Sequence, residues 1–319
     1  MKQIGLPKNS VCDAFNRVIF LLINRFIPLI QHLRGHFSWL RTLSHPNISS
    51  LATLHPRLKY KYLRNNYLFF ALPIADALKI MRYHYQVISK YVGVDFFSCL
   101  FEKAPLIWEL QKDECHFGIR MTYPRDLRRE SVMHDHEGDL ALLFEADGVP
   151  IYVLCMTIVP NYIAERNFHT QQTSDVIFIG RVQGVNGQFS AVRAATKSLY
   201  DTTPARLLVN ATEAIARLLS IQLVVGVSNE KQLSREKTND EKGAFFDYDT
   251  FWTSIGSCKT DNGFFSMRPE SNEKPIEEVQ QKHRSRTLAK RKFRKSVVDV
   301  TELGLRRIFT QIEGLNTTN

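Results

Sequence analysis

The sequence predicts an α+β fold: a helical N-terminal region, a mostly antiparallel sheet with one β-α-α-β segment, and a basic C-terminal helix. Three observations predict it. Apolar residues recur every three to four positions through the first 95 or so residues. Near Ala104 the texture changes to short alternating runs separated by turn residues. A continuous apolar run at 176–182 is then followed by two helical blocks and a second such run at 221–227. The resulting organisation is a basic helical region over 1–95, an α+β body over 96–272, and a basic helix and tail over 273–319.

The spacing predicts a helix over 11–33, with Val18, Leu21, Leu22 and Phe26 on one stripe, and another over 73–91 carrying Leu78, Met81, Tyr85 and Ile88. Between them the aromatic, basic string His55-Pro-Arg-Leu-Lys-Tyr-Lys-Tyr-Leu stands out. Runs 106–111 and 116–122, broken by Lys112-Asp-Glu114, suit a hairpin; so do 139–145 and 151–159, where Asp147-Gly148 is a strong turn signal. Strand 176–182 is expected to be buried on both faces. Helices follow over 188–200 and 204–219, the second capped by Thr203 with Pro204 in its first position. After strand 221–227, Ser228-Asn229 is expected to open a short helix. The last helix begins at Pro275, with Glu277 and Glu278 in its opening turn and its cations later, which complements the helix dipole.

The apolar fraction of 44% and charged fraction of 23% belong to an ordinary folded chain of 319 residues, one large core or two. They exclude general disorder, a collagen-like repeat and a disulfide miniprotein. A mean hydropathy of −0.21 excludes a polytopic membrane protein. The net charge of +10 is uneven: residues 1–92 carry 13 Lys/Arg against 2 Asp/Glu, and residues 280–309 carry 10 against 2. An acidic middle is thus flanked by two basic ends. Either the ends meet a polyanion, such as anionic lipid or lipopolysaccharide, or they fold back on the middle. Cys12, Cys99, Cys115, Cys155 and Cys258 are odd in number, widely spaced and without a Cys-x-x-Cys pair, as expected of free thiols in a reducing compartment. The first apolar stretch contains Asn24, Arg25 and Pro28 and has no small-residue cleavage site after it. The expectation is a cytoplasmic chain, peripheral to the inner membrane.

Four places could carry chemistry. Arg181-Val-Gln-Gly184-Val-Asn-Gly187 lies between a strand and a helix, where free N–H groups and the dipole favour a phosphate; Arg193 and Lys197 share a face of that helix. Here Arg181, Gln183, Gly184 and Gly187 are candidate cofactor contacts with Arg193, Lys197 and the later Asn229, or else the string is a plain turn. His134-Asp-His136-Glu-Gly-Asp139 offers crowded metal-type ligands, but no metal is expected there and the string reads as a solvated turn before a strand. Asp247-Tyr-Asp249 offers either a carboxylate pair for acid–base work or an N-cap, the cap being favoured. Lys290, Arg291, Lys292, Arg294 and Lys295 form the densest basic run, suited to an anionic surface; nucleic acid is not expected without a recognisable binding module.

The strand–turn–helix string around Gly184 resembles the acyl-coenzyme-A loop of the GCN5-related acetyltransferases (GNAT). Arg181 and Gly184 match, whereas Asn186 departs where that loop has a small residue, and two helices rather than one separate the strands. This resemblance implies acetyl-CoA or another acyl-CoA as cofactor, with His84 or Asp249 as candidate base. A broader resemblance is carried by several strings together. They are His55-Pro…Lys61-Tyr-Leu, Arg82-Tyr-His-Tyr85, Glu137-Gly-x-Leu140, Ile179-Gly-x-Val-Gln-Gly184, Ala195-Thr-Lys197…Pro204-x-x-Leu-Leu208, Gly226-Val-Ser-Asn229, Tyr248-Asp-x-Phe-Trp252 and Lys282-x-Arg-Ser-x-x-x-x-Lys-Arg291. In this order they resemble the VirK/YbjX family of enteric bacteria, over roughly residues 50–295. The resemblance implies a virulence-associated accessory factor acting on the bacterial envelope: resistance to antimicrobial peptides and surface placement of an autotransporter. It supplies no reaction and no catalytic residue. An envelope-modifying acyltransferase is the alternative, and envelope-assembly proteins are the alternative partners to lipid.

Overall fold

Local sequence rules account for the helical layer. The computed structural model describes residues 26–63, 67–124, 136–170, 174–233, 246–269 and 275–309. Of the helix expected over 11–33, the part before residue 26 lies outside the described residues; the rest forms α1 (Ile27–Gln31), followed after His32 by α2 (Leu33–Leu43), which runs on well past the expected end. α2 buries Trp39, Thr42 and Leu43. His45 caps α3 (Pro46–Leu54), with Pro46 in the first turn where its missing N–H costs nothing. The aromatic, basic string becomes a 3-10 helix, Pro56–Leu63. α4 (Ile74–Ile88) and α5 (Phe96–Glu102) complete the layer. Buried Asn47 on α3 stitches it together by donating to the carbonyls of Ser89 (2.9 Å) and Val92 (2.8 Å).

The sheet has eight strands in the order β1-β2-β3-β4-β5-β6-β8-β7. β1 (Leu106–Lys112) and β2 (Cys115–Thr122) form the first expected hairpin, and β3 (Leu140–Ala146) and β4 (Val149–Val159) the second. Both turns use positive φ, at Asp113 and Glu114 and at Asp147 and Gly148. After α6 (Asn161–Phe168), β5 (Val176–Gly184) adds antiparallel to β4. α7 (Phe189–Ser198) and α8 (Pro204–Leu218) then cross over to β6 (Leu223–Gly226), which lies parallel to β5, the one parallel pair among the described residues. Thr203 caps α8 as its sequence predicts, accepting from the Arg206 N–H. Ser228-Asn229 opens a turn in which the N–H groups of Lys231 and Gln232 both return to the Ser228 carbonyl; Leu233 follows in 3-10 geometry, and the rest of the expected helix lies outside the described residues. α9 (Tyr248–Ser254) leads to the short strands β7 (Cys258–Lys259) and β8 (Phe265–Met267). A single 3-10 turn, Ile276–Glu278, precedes α10 (Gln281–Ile308), which packs along α8 and β1 through Val297, Val298, Thr301 and Leu305. The main apolar core runs from Trp39 to Phe309, and a smaller cluster of Ala141, Leu143, Val153, Cys155 and Val185 lies apart from it.

Two irregularities shape the middle of the sheet. Cys155 pairs with Arg181 but Met156 pairs with Ile179, so Gly180 is an extra residue on β5. A side chain there would sit 2.3 Å from the Glu137 carbonyl oxygen; only glycine lets the chain entering β3 approach so closely. Beyond Ile179 and Gly226, β5 continues while β6 ends, so the parallel pair diverges. α9 fills the gap. Tyr248 Oη accepts from the Val182 N–H (3.3 Å), and the Trp252 indole N–H donates to the Val227 carbonyl (2.8 Å). The strands therefore splay, but the chain's own aromatic side chains occupy the opening.

A β-carbon on Gly226 would lie 2.2 Å from the Trp252 ring. Gly226→Ala is expected to cost about 1–3 kcal/mol through overpacking, and Trp252→Leu in the same chain to recover part of that loss. Urea unfolding of both variants and the double variant checks this; simply additive losses would show that the indole is not wedged against the strand.

Candidate functional site

The glycine-rich turn is only partly assembled as a cradle. Gly187 (φ +78°) lies in an exposed turn before α7, and Arg193 and Lys197 are exposed on that helix, Arg193 lying over the Phe189 ring. Gln183 and Gly184 are half-buried at the end of β5, with Tyr152 close to Gly184. Arg181 does not join them. It is buried, and its Nη1 donates to Glu137 Oε2 at 2.5 Å. Asn229 is fully used in holding α9: its Oδ1 accepts from the Tyr248 N–H, its Nδ2 donates to Asp247 Oδ1, and its N–H donates to Asp249 Oδ1, each at 2.8 Å. Asp249 Oδ2 pairs with Lys259 (3.0 Å). Asp247 is the N-cap, and hydrogen bonds from the Thr250 hydroxyl and N–H and the Asn229 amide hold its carboxyl down at about 2.

The string 134–139 is where the structure departs most from expectation. His134 and Asp135 lie outside the described residues, but Glu137 and Asp139 are buried, not solvated. Asp139 accepts from Lys61 Nζ (2.6 Å), from the Tyr67 hydroxyl, from Thr157 Oγ1 (3.1 Å) and from the Tyr85 hydroxyl (3.4 Å). Lys61 also donates to the Gly138 carbonyl (2.7 Å), and neither its side chain nor that of Asp139 is exposed at all. Burial pushes the Asp139 carboxyl up. Lys61 and His84, with hydrogen bonds from Lys61 and Tyr67, pull harder, and the group ends below its ordinary value. The Glu137–Arg181 pair lies close by, and all four charges act on the buried Cys155 thiol, which burial raises to about 12. His84 borders this network. Its Nδ1 accepts from the Ile158 N–H (3.1 Å), which assigns the proton to Nε2, and Nε2 has no partner among the described residues. A wholly buried imidazole reaches no substrate as the chain stands.

The basic run on α10 is only half free. Lys290 donates to the Asp201 carbonyl (2.6 Å) and Arg286 pairs with the Asp201 carboxylate. Arg291 and Arg294 are half-buried and have interaction partners, whereas Lys292 and Lys295 are exposed. The open surface lies elsewhere. Along the seam between α2 and α4 run two grooves, of ≈ 490 Å³ and ≈ 350 Å³. Arg34, Lys79 and Arg82 line the first with Ile30, Leu33 and Leu78; Arg41 and His45 line the second. Of these residues the sequence patterns marked only Leu78, on a helix stripe, and Arg82, in a family string, although the absence of any Asp or Glu between Asp13 and Asp76 was there to be seen. Among the described residues no helix is long and apolar enough to cross a membrane.

The family model described as "Protein of unknown function (DUF535)" matches residues 24–294. The chain belongs to the DUF535 family. It is 28% identical over 272 residues to the uncharacterized protein YbjX of Escherichia coli (strain K12), covering 83% of this chain and 76% of that one. The VirK/YbjX resemblance therefore holds at the level of the family, and it reaches further toward the N-terminus than the strings from residue 50 onward indicate. A cAMP-binding acyltransferase from Mycobacterium smegmatis, solved as an arginine-to-lysine mutant, shares 12% identity and a TM-score of 0.28, too low to argue from. The match covers 73% of this chain and 63% of that one. Within this DUF535 chain the recognisable strings converge: Lys61, His84 and Tyr85, Glu137, Arg181 and Tyr248 all touch or border the one buried network.

Asp139→Asn keeps the shape but leaves Lys61 buried without a counter-charge, and is expected to cost about 3–5 kcal/mol; adding Lys61→Met should recover much of it. Denaturant unfolding reads both. Burial also holds the His84 imidazole neutral, with its pKa lowered from 6.5 to about 4. The unfolded chain takes up that proton first, so the contribution of His84 is whole above pH 6.5 and is lost as pH falls toward 4. Between about pH 7 and 4.5 the wild type should lose roughly 2–3 kcal/mol more than His84→Gln. Parallel pH profiles would mean that His84 is not buried neutral.

Proposed function

We propose that this chain is a non-catalytic accessory factor that works at an anionic lipid surface of the bacterial envelope, from its cytoplasmic side. One observation carries the reading: the layer formed by residues 26–63 holds no acidic residue, and Arg34, Arg41 and Arg57 are exposed on it, joined by Lys79 of α4. Such a layer is drawn to anionic headgroups and has no carboxylates of its own to offset the attraction. Lys292 and Lys295 add charge on α10. What the VirK/YbjX resemblance implies, a part in virulence, antimicrobial-peptide resistance and autotransporter placement, fits a helper stationed where envelope components are assembled.

A second reading, acyl transfer from acyl-CoA to an envelope component, has in its favour the parallel pair β5–β6 and the exposed Gly187 turn with Arg193 and Lys197. Against it stand the filled gap between the strands and the inward-facing Arg181. Heat on titration with acetyl-CoA or a long-chain acyl-CoA would favour this reading over the first.

The lipid reading predicts co-sedimentation with phosphatidylglycerol vesicles at low ionic strength, little with phosphatidylcholine, and release as salt rises to about 0.5 M, where screening confines attraction to a few ångströms. Equal partition into both vesicle types, or none into either, would overturn it.

A further inference from the structure

We infer that the outer ridge of α1 and α2 is an interfacial anchor that inserts into the headgroup–acyl boundary of an anionic bilayer. The inference rests on the proposed function and gives it a contact face. Phe26, Ile30, Leu33 and Phe37 follow one another at spacings of four, three and four, the interval at which side chains share a helix face. All four point outward, at 56%, 69%, 45% and 62% exposure, and Ile27 (48%) widens the stripe. The opposite side of the same helices faces the core through Pro28, Trp39 and Leu43, so the ridge is a second apolar face that the described residues leave uncovered. Monomeric folds rarely leave large apolar side chains in such a contiguous row without a use for it.

The charges beside the ridge select the occupant. Arg34 and Arg41 project from α2, and Lys79 and Arg82 border the ≈ 490 Å³ groove at the foot of the ridge, which is lined by Ile30 and Leu33 themselves. An apolar stripe flanked by cations and free of carboxylates matches a surface that is apolar inside and anionic at its rim, as a bilayer of acidic lipid is. A second copy of this chain matches it badly, because Arg34 and Arg41 would meet their own kind with no acid to separate them. In this arrangement the ridge enters to a depth of about 5–10 Å, and the groove cations lie at the phosphates.

The three native tryptophans, Trp39, Trp108 and Trp252, are buried, so an indole placed on the ridge reports on it alone. Phe37→Trp in the full chain, mixed with phosphatidylglycerol vesicles carrying brominated acyl chains, should show a blue shift and strong quenching that the wild type lacks. Phe26→Ser with Phe37→Ser should weaken vesicle binding roughly tenfold or more, while circular dichroism stays unchanged. If the protein sediments with the vesicles but the introduced indole is not quenched, the ridge is not the anchor and the proposed function survives. If it does not sediment at all, both fall. A dimer in solution that disperses in the double-serine variant would assign the ridge to a second copy and overturn the inference.

Discussion

The ion pair between Lys61 and Asp139 sets how the helical layer docks on the sheet. Lys61 lies in the last turn of the 3-10 helix, and Asp139 at the entry to β3, so the pair ties the layer to the sheet beside the apolar core they share. Removing two charges completely from water costs several kcal/mol apiece, and such a pair persists only when the remaining lone pairs and protons find partners. Here they do: Tyr67, Tyr85 and Thr157 complete the carboxylate, and the Gly138 carbonyl takes a second ammonium proton. Its worth is specificity of docking as much as stability. Sliding the layer by one residue would strand a buried charge, whereas an apolar seam would tolerate the slip.

This also explains what could be read from the sequence. Hairpins, the capped α8 and the strand–helix–helix–strand crossover are local, and Asp147-Gly148, Thr203-Pro204 and the apolar runs announce them. His136-Glu-Gly-Asp139 looks like a polar loop in any short window, because the cations that neutralise it come from elsewhere in the chain, Lys61 lying 78 residues before Asp139 and Arg181 lying 44 residues after Glu137. Arg181 beside two glycines suggests a phosphate cradle for the same reason: its real partner is out of view. Asn229 and Asp249 stand side by side, but the Asn229 amide is taken up by Asp247 and the Tyr248 N–H, and Asp249 by the Asn229 N–H and Lys259, which no spacing rule reveals. Strands of two and three residues, such as β7 and β8, are too short to carry a period.

Several residues of the family strings therefore serve to hold this fold together. Lys61, Glu137, Arg181, Asn229, Tyr248 and Trp252 each have a structural occupation: pairing charges, capping the splayed strands or holding α9 in the gap. A fold can be recognised through such residues and still leave its function on a face that they do not touch. The exposed ridge and grooves of α1, α2 and α4 are a face that these strings barely reach: of their residues, only Arg82 lines the grooves.

In the lipid reading we propose, two forces would act on that face, and they differ in reach. Attraction between exposed cations and acidic lipid extends about one Debye length, roughly 10 Å at 0.1 M salt, and weakens as salt rises. Burial of Phe26, Ile30, Leu33 and Phe37 acts only on contact and is nearly indifferent to salt. Neither suffices alone. Arg34, Arg41 and Lys79 are too few for firm electrostatic binding at about 1 kcal/mol each, and a single short ridge buries too little for lasting insertion without them. In the lipid reading we propose, the two together would give an association that is specific for acidic surfaces, reversible, and adjustable by lipid composition. On α10 Lys290 and the preceding Arg286 are already engaged with the body at Asp201, so the exposed cations of residues 26–63, where no acid stands, add to what Lys292 and Lys295 leave available to an outside partner.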